Sequence, residues 1–147
     1  GFTKGAEHYN ESATIAAGHN PAAFEADGFR VGLSICYDLR FPELYRSLGA
    51  CDLLVVPAAF TETTGRAHWE ILLRARAIEN QCYVLAIGQG GRHENGRETH
   101  GNSMFIDPWG TILDRKLKGP GVVIGDVDPV FIAETRASLP ALQHRVL

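Results

Sequence analysis

The chain has 147 residues, a formal charge of −3 and 45% hydrophobic residues, enough to bury the core of one compact domain spanning residues 1–147. A mild negative charge without a basic cluster argues against nucleic acid as a partner; no run is apolar enough to span a bilayer, and no charged-then-apolar leader opens the chain. Three cysteines without C-x-x-C spacing argue against a disulfide framework or a zinc site, so no metal or cofactor is expected and cytoplasmic residence fits best.

Gly1 to Pro21 lacks apolar periodicity and is rich in small and polar residues, so it reads as loop. Ala22 to Ala26 and Phe29 to Ile35 are apolar runs around Asp27-Gly28, a hairpin signal. The second run ends abruptly at Cys36. Polar residues come next, and Pro42 opens a short helix to Leu48, with Gly49 as its stop. Leu53 to Pro57 is continuously apolar, as a strand covered on both faces would be.

Arg66 or Ala67 opens a helix to about Asn80 whose residues Ala67, Trp69, Ile71, Leu72, Leu73, Ala75, Ala77 and Ile78 leave little polar circumference. One face is expected on the sheet and another on a second subunit. Cys82 to Ile87 reads as a buried strand and Gln89 to Thr99 as a surface loop. Asn102 to Ile106 and Thr111 to Leu117 form a hairpin around Asp107-Pro-Trp-Gly110. Gly121 to Val127 reads as a strand, Pro129 to Arg136 as a short helix, and the tail from Ser138 as irregular. Strands alternating with helices, then a run of strands, predict an α/β layered domain.

Cys36 stands where such a fold holds a nucleophile: at the carboxyl end of a buried strand, before a strand-to-helix turn. Cys51 and Cys82 border apolar strands and read as packing residues. A thiol needs a base beside it and dipolar or cationic help for the charge that develops on a substrate oxygen. His68, His93, His100 and His144 read as helix-face, loop or tail residues, not as that base.

The segment Gly32-Leu-Ser-Ile-Cys-Tyr-Asp-Leu-Arg-Phe-Pro-Glu-Leu-Tyr45 resembles the nucleophile segment of the nitrilase, or carbon–nitrogen hydrolase, superfamily. The resemblance continues through Pro57-Ala-Ala-Phe60, the Gly65 to Asn80 helix, His100 to Gly110 and Leu139 to Arg145, covering nearly the whole chain in order. It implies part of a nitrilase-type αββα sandwich, and hydrolysis of a small amide through a thioester on Cys36 with release of ammonia. It implies Glu11 as a supporting glutamate, the Tyr37 backbone N–H as oxyanion donor, and Phe60 as a pocket wall. Arg40 and Glu43 are expected to pair and fix the elbow.

The family's base glutamate and lysine precede the stretch that resembles Gly1 to Pro21 and have no counterpart here; Lys4 does not match the lysine motif. The chain alone is therefore expected to be inactive, and a subunit whose role is association is the alternative to an amidase. The deaminated-glutathione amidase branch is most similar, with the omega-amidase branch next. Both imply a small carboxylate-bearing amide as substrate and an arginine to read its carboxylate: Arg66, Arg92 or Arg97. The resemblance also implies a homodimer through helix 67–80, with Trp69 or a neighbour at its centre.

Overall fold

From a computed structural model we describe residues 20–147, together with the backbone of two short strands, β1 (Phe2–Lys4) and β2 (Glu7–Tyr9). These two pair antiparallel, Thr3 opposite His8, within the stretch expected to be loop throughout.

The main sheet has six strands in the order β10-β9-β6-β5-β4-β3. Strands β3 (Ala22–Ala26) and β4 (Phe29–Leu33) form the expected hairpin. Asp27 and Gly28 both take positive φ, 51° and 80°, matching the twist of the strands they join. Strands β4, β5 (Leu53–Ala58) and β6 (Tyr83–Gly88) run parallel at the centre. Strands β9 (Ser103–Ile106) and β10 (Ile112–Lys116) complete the sheet antiparallel. Asp107 closes their turn, its Oδ1 accepting from the N–H groups of Trp109 and Thr111 at 2.8 and 3.0 Å.

Helix α1 (Pro42–Ser47) links β4 to β5, starting on Pro42 as predicted. The longer helical path to β6 begins earlier than the periodicity suggests. Thr61 caps it, its side chain accepting from Thr64 N, and α2 (Glu62–Thr64) leads through a π turn (Gly65–Trp69) into α3 (Glu70–Asn80). Alternation divides the sheet into two apolar faces. Leu54, Val56, Val84, Ala86, Met104 and Ile106 face the helices and pack with Leu39, Tyr45, Trp69, Leu73 and Ala77. On the other face Tyr83 and Phe105 pack with Ile132 and with Val123, Val127 and Phe131 from the C-terminal stretch.

That stretch corrects one expectation. Gly121 to Val127 joins no ladder; it crosses the second face as irregular chain, with Ile124 N donating to Asp114 Oδ2. Val123 and Val127 pack on that face while Val122 and Ile124 are exposed, an alternation that reads as a strand in sequence. The expected loop over Gln89 to Thr99 instead holds a small hairpin, β7 (Gly90–Arg92) with β8 (Glu98–His100). Helix α4 (Pro129–Ser138) is capped by Asp128, whose carboxylate accepts from Val130 N and Phe131 N. Arg136 of α4 donates to the carbonyls of Cys51, Asn80 and Gln81, capping the carboxyl end of α3. No helix among the described residues is long and apolar enough to cross a membrane.

Candidate active site

Cys36 opens a 3₁₀ turn (Cys36–Arg40) just beyond the carboxyl end of β4. The strand ends at Leu33, two residues sooner than predicted. Ser34 N still donates to Val55 O at 3.1 Å, but the N–H of Ile35 turns to Asp38 Oδ2 at 2.9 Å and leaves the sheet. Asp38 N returns a bond to Ile35 O. Cys36 itself sits at φ 49°, the left-handed region that costs a side-chain-bearing residue about 1–2 kcal/mol. Such a conformation persists only where the surroundings impose it, and here three groups do so.

Asp38 is the first of them. Tyr45 of α1 is the second, donating its hydroxyl to Ser34 Oγ at 2.8 Å. The third is Arg76, buried on α3, whose Nε and Nη2 both donate to Leu39 O at 3.1 and 2.9 Å while Nη1 pairs with Glu79. The turn is thus held at its entry, its middle and its end, and the half-buried Cys36 thiol is reduced.

Arg40 ends the turn. Its guanidinium carbon lies 5.2 Å from the centroid of the Phe60 ring and 5.7 Å from that of Tyr37. Nη1 donates to His68 Nδ1 at 3.1 Å. Phe60 lies just past β5, whose end neighbours that of β4, and its ring packs tilted against Trp69, the centroids 4.9 Å apart. The expected Arg40–Glu43 pair does not form. Glu43 is exposed on α1 and makes no ion pair among the described residues, while Arg40 turns to His68 and the two rings. The guanidinium that fixes the elbow is Arg76, not Arg40.

Beside Phe60, the β7–β8 hairpin is tied to the start of the helix. His100 N donates to Phe60 O, Thr61 bridges Thr99, and His93 Nε2 lies 2.7 Å from Thr99 Oγ1. Glu62 meets Lys118 at 2.8 Å and His100 at 3.3 Å, and the Lys118 ammonium above all holds its carboxyl below the usual range. Gly65 is required here, because a Cβ on it would fall onto the His100 side chain.

Of the residues singled out in the sequence, Cys36, Tyr37 and Arg40 share one turn, and Arg40 brings Phe60 to it. The Tyr37 N–H has no hydrogen-bond partner among the described residues. Glu11 lies outside the described residues. Arg66 is exposed and pairs with Glu62, while Arg92 stands opposite Glu98 on the hairpin. Trp69 is not surface-directed: it is 1% exposed, and its Nε1 donates to Asn102 O at 2.7 Å. Sequence reasoning missed Asp38, Arg76 and His68. Asp38, three residues after Ile35, has the spacing of a residue that reaches back to cap a turn; Arg76 and His68 carry no local signal, since their partners are 37 and 28 residues away. An open cleft of about 410 Å³ lies at the opposite end of the sheet, between the β9–β10 turn and α4, lined by Asp107, Trp109, Phe131, Glu134 and the hydroxyl-bearing Thr111, Thr135 and Ser138, and without a cysteine. No cluster of His, Cys, Asp or Glu among the described residues could hold a metal.

Comparison with known proteins gives concordant matches. A sequence model of the carbon–nitrogen hydrolase family matches residues 4–137. The deaminated glutathione amidase of Synechocystis sp. is 53% identical over 142 residues, covering 94% of this chain and 52% of that protein. That of Mus musculus is 52% identical over 118 residues, 79% of this chain and 36% of its own. The chain thus spans about half or less of these relatives' length. Among solved structures, a CN-hydrolase superfamily protein from Xanthomonas campestris with an arsenic adduct in its active site superposes with a TM-score of 0.86 at 32% identity, over 94% of this chain and 55% of that one. A mutant of the amidase from Nesterenkonia sp. AN1 in complex with butyramide superposes with a TM-score of 0.71 at 28% identity, over 91% and 52%.

Proposed function

The chain belongs to the carbon–nitrogen hydrolase family, and from that premise we propose that it carries the nucleophile of an amidase acting on a small carboxylate-bearing amide. The observation that carries this reading is the thiol of Cys36 in a left-handed backbone conformation at the carboxyl end of a central parallel strand. The Cys36 thiolate attacks the amide carbon, and the carbonyl oxygen becomes an oxyanion facing the Tyr37 N–H. The C–N bond then breaks and ammonia leaves with a proton from the general base. Water attacks the thioester, releasing the acid and regenerating the thiol. Glu11 supports this chemistry, and a further glutamate and a lysine, which the family resemblance assigns upstream of the matching stretch, act as base and charge stabiliser. Similarity to deaminated glutathione amidases favours substrates of that chemistry. The test is ammonia release from carboxylate-bearing amides by the chain alone and by its full reading frame. Turnover is expected where the glutamate and lysine are supplied, and its survival in Cys36→Ala would refute the nucleophile.

The same chain associates as a homodimer through α3, and the outward stripe supports this. Ile71 and Ile78 are 70% and 49% exposed, and Trp109 stands exposed beside them because Gly110, with φ 89°, lets its turn close against Ile78.

A further inference from the structure

An amidase selective for carboxylate-bearing amides must read an anion beside its nucleophile, and the role of His68 rests on that amidase reading. Arg40 is the cation of the Cys36 turn, but stacking alone does not fix where a guanidinium points. The Phe60 and Tyr37 rings lie 5.2 and 5.7 Å from its central carbon, contacts that place the charge without selecting which N–H edge faces outward. The bond from Arg40 Nη1 to His68 Nδ1 at 3.1 Å makes that selection.

His68 reaches Arg40 because of the π turn over Gly65–Trp69. The wider turn sends Trp69 inward against Phe60 and leaves His68 outward, facing the nucleophile turn. Arginine is always charged and only donates, so Nδ1 must accept: the imidazole is neutral, with its proton on Nε2. Nε and Nη2 of Arg40, which no described residue engages, are the pair that matches a carboxylate bidentately.

We propose that His68 is a positioning residue that holds the Arg40 guanidinium beside Cys36, with its free edge turned to a carboxylate of the substrate. The test compares alkylation of Cys36 by iodoacetate and by iodoacetamide, with peptide mapping to separate Cys51 and Cys82. A positioned cation favours the anionic reagent. His68→Ala should lower the iodoacetate-to-iodoacetamide rate ratio roughly three- to tenfold, as loss of one exposed charge-assisted bond implies. Arg40→Gln should lower it comparably, and the double variant no further. His68→Asn, whose Oδ1 replaces Nδ1, should restore the ratio to within about twofold, a rescue that a merely structural role would not give. An unchanged ratio in His68→Ala, losses that multiply in the double variant, or failure of either reagent to label Cys36 would each overturn the proposal. The ratio is independent of turnover: loss of ammonia release with the ratio intact would count against the amidase and not against His68.

Discussion

Burial pushes the thiols of Cys51 and Cys82 up, so neither offers a thiolate near neutral pH, whereas Cys36 is half-exposed on a turn. Iodoacetamide is expected to label Cys36 first in the folded protein and the other two only in denaturant; preferential labelling of Cys51 or Cys82 would remove Cys36 from its role. Tyr45 gives the fold a pH limit. Burial raises its hydroxyl to about 12, against 10.0 for the free side chain. Below pH 10 both folded and unfolded states keep the proton and nothing is lost. Between 10 and about 12 the unfolded chain ionises first, so stability falls with rising pH, by about 2–3 kcal/mol over that window. Tyr45→Phe should lack this part of the fall when urea midpoints are compared across pH. An identical alkaline slope in both proteins would show that ionisation of the buried Tyr45 hydroxyl does not govern it.

Helix α3 serves the turn and the surface with opposite faces. Arg76→Met removes both donors to Leu39 O and is expected to destabilise the fold by about 1–3 kcal/mol and to slow Cys36 alkylation, with Arg76→Lys failing to rescue because it lacks the fork. Urea unfolding and labelling rates measure the two effects. On the outward face, Ile71→Glu should halve the mass seen by light scattering; a monomeric parent chain would refute the dimer. The sequence shows this helix and the strands before Cys36 and after Asp52 clearly, because their periods and turn residues are local. The π turn is not visible in that way, since Trp69 satisfies the helical apolar pattern whether it points inward or out. Packing against Phe60, across the turn before the helix, and the bond to Asn102 O, 33 residues away, decide the matter. The 90–100 hairpin is masked by glycines and charges, and 121–127 alternates packed Val123 with exposed Val122 and Ile124, without a ladder. Cys36 is legible for the converse reason: the strand, the break and the proline are all within a few residues of it.

Across the molecule, the sheet is covered by helices on one face and only in part on the other. Val123, Val127, Phe131 and Ile132 shield the β6–β9 side, but Leu33, Phe24 and Ile87 remain exposed on the second face, Ile87 by 48%. Such a surface is expected to seek cover. Leu33→Lys with Ile87→Lys should reduce binding of a hydrophobic dye and lower self-association by the isolated chain, read by fluorescence and light scattering; no change in either would show that the face is not adhesive. Arg136 adds a consequence in time as well as in space. Its bond to Cys51 O joins residues 85 apart in the chain, whereas the parallel strands meet across much shorter loops. Closing the longer loop costs more entropy and comes later in folding. Strands β4 to β6 with α3 are therefore expected to assemble first, and α4 to dock after them.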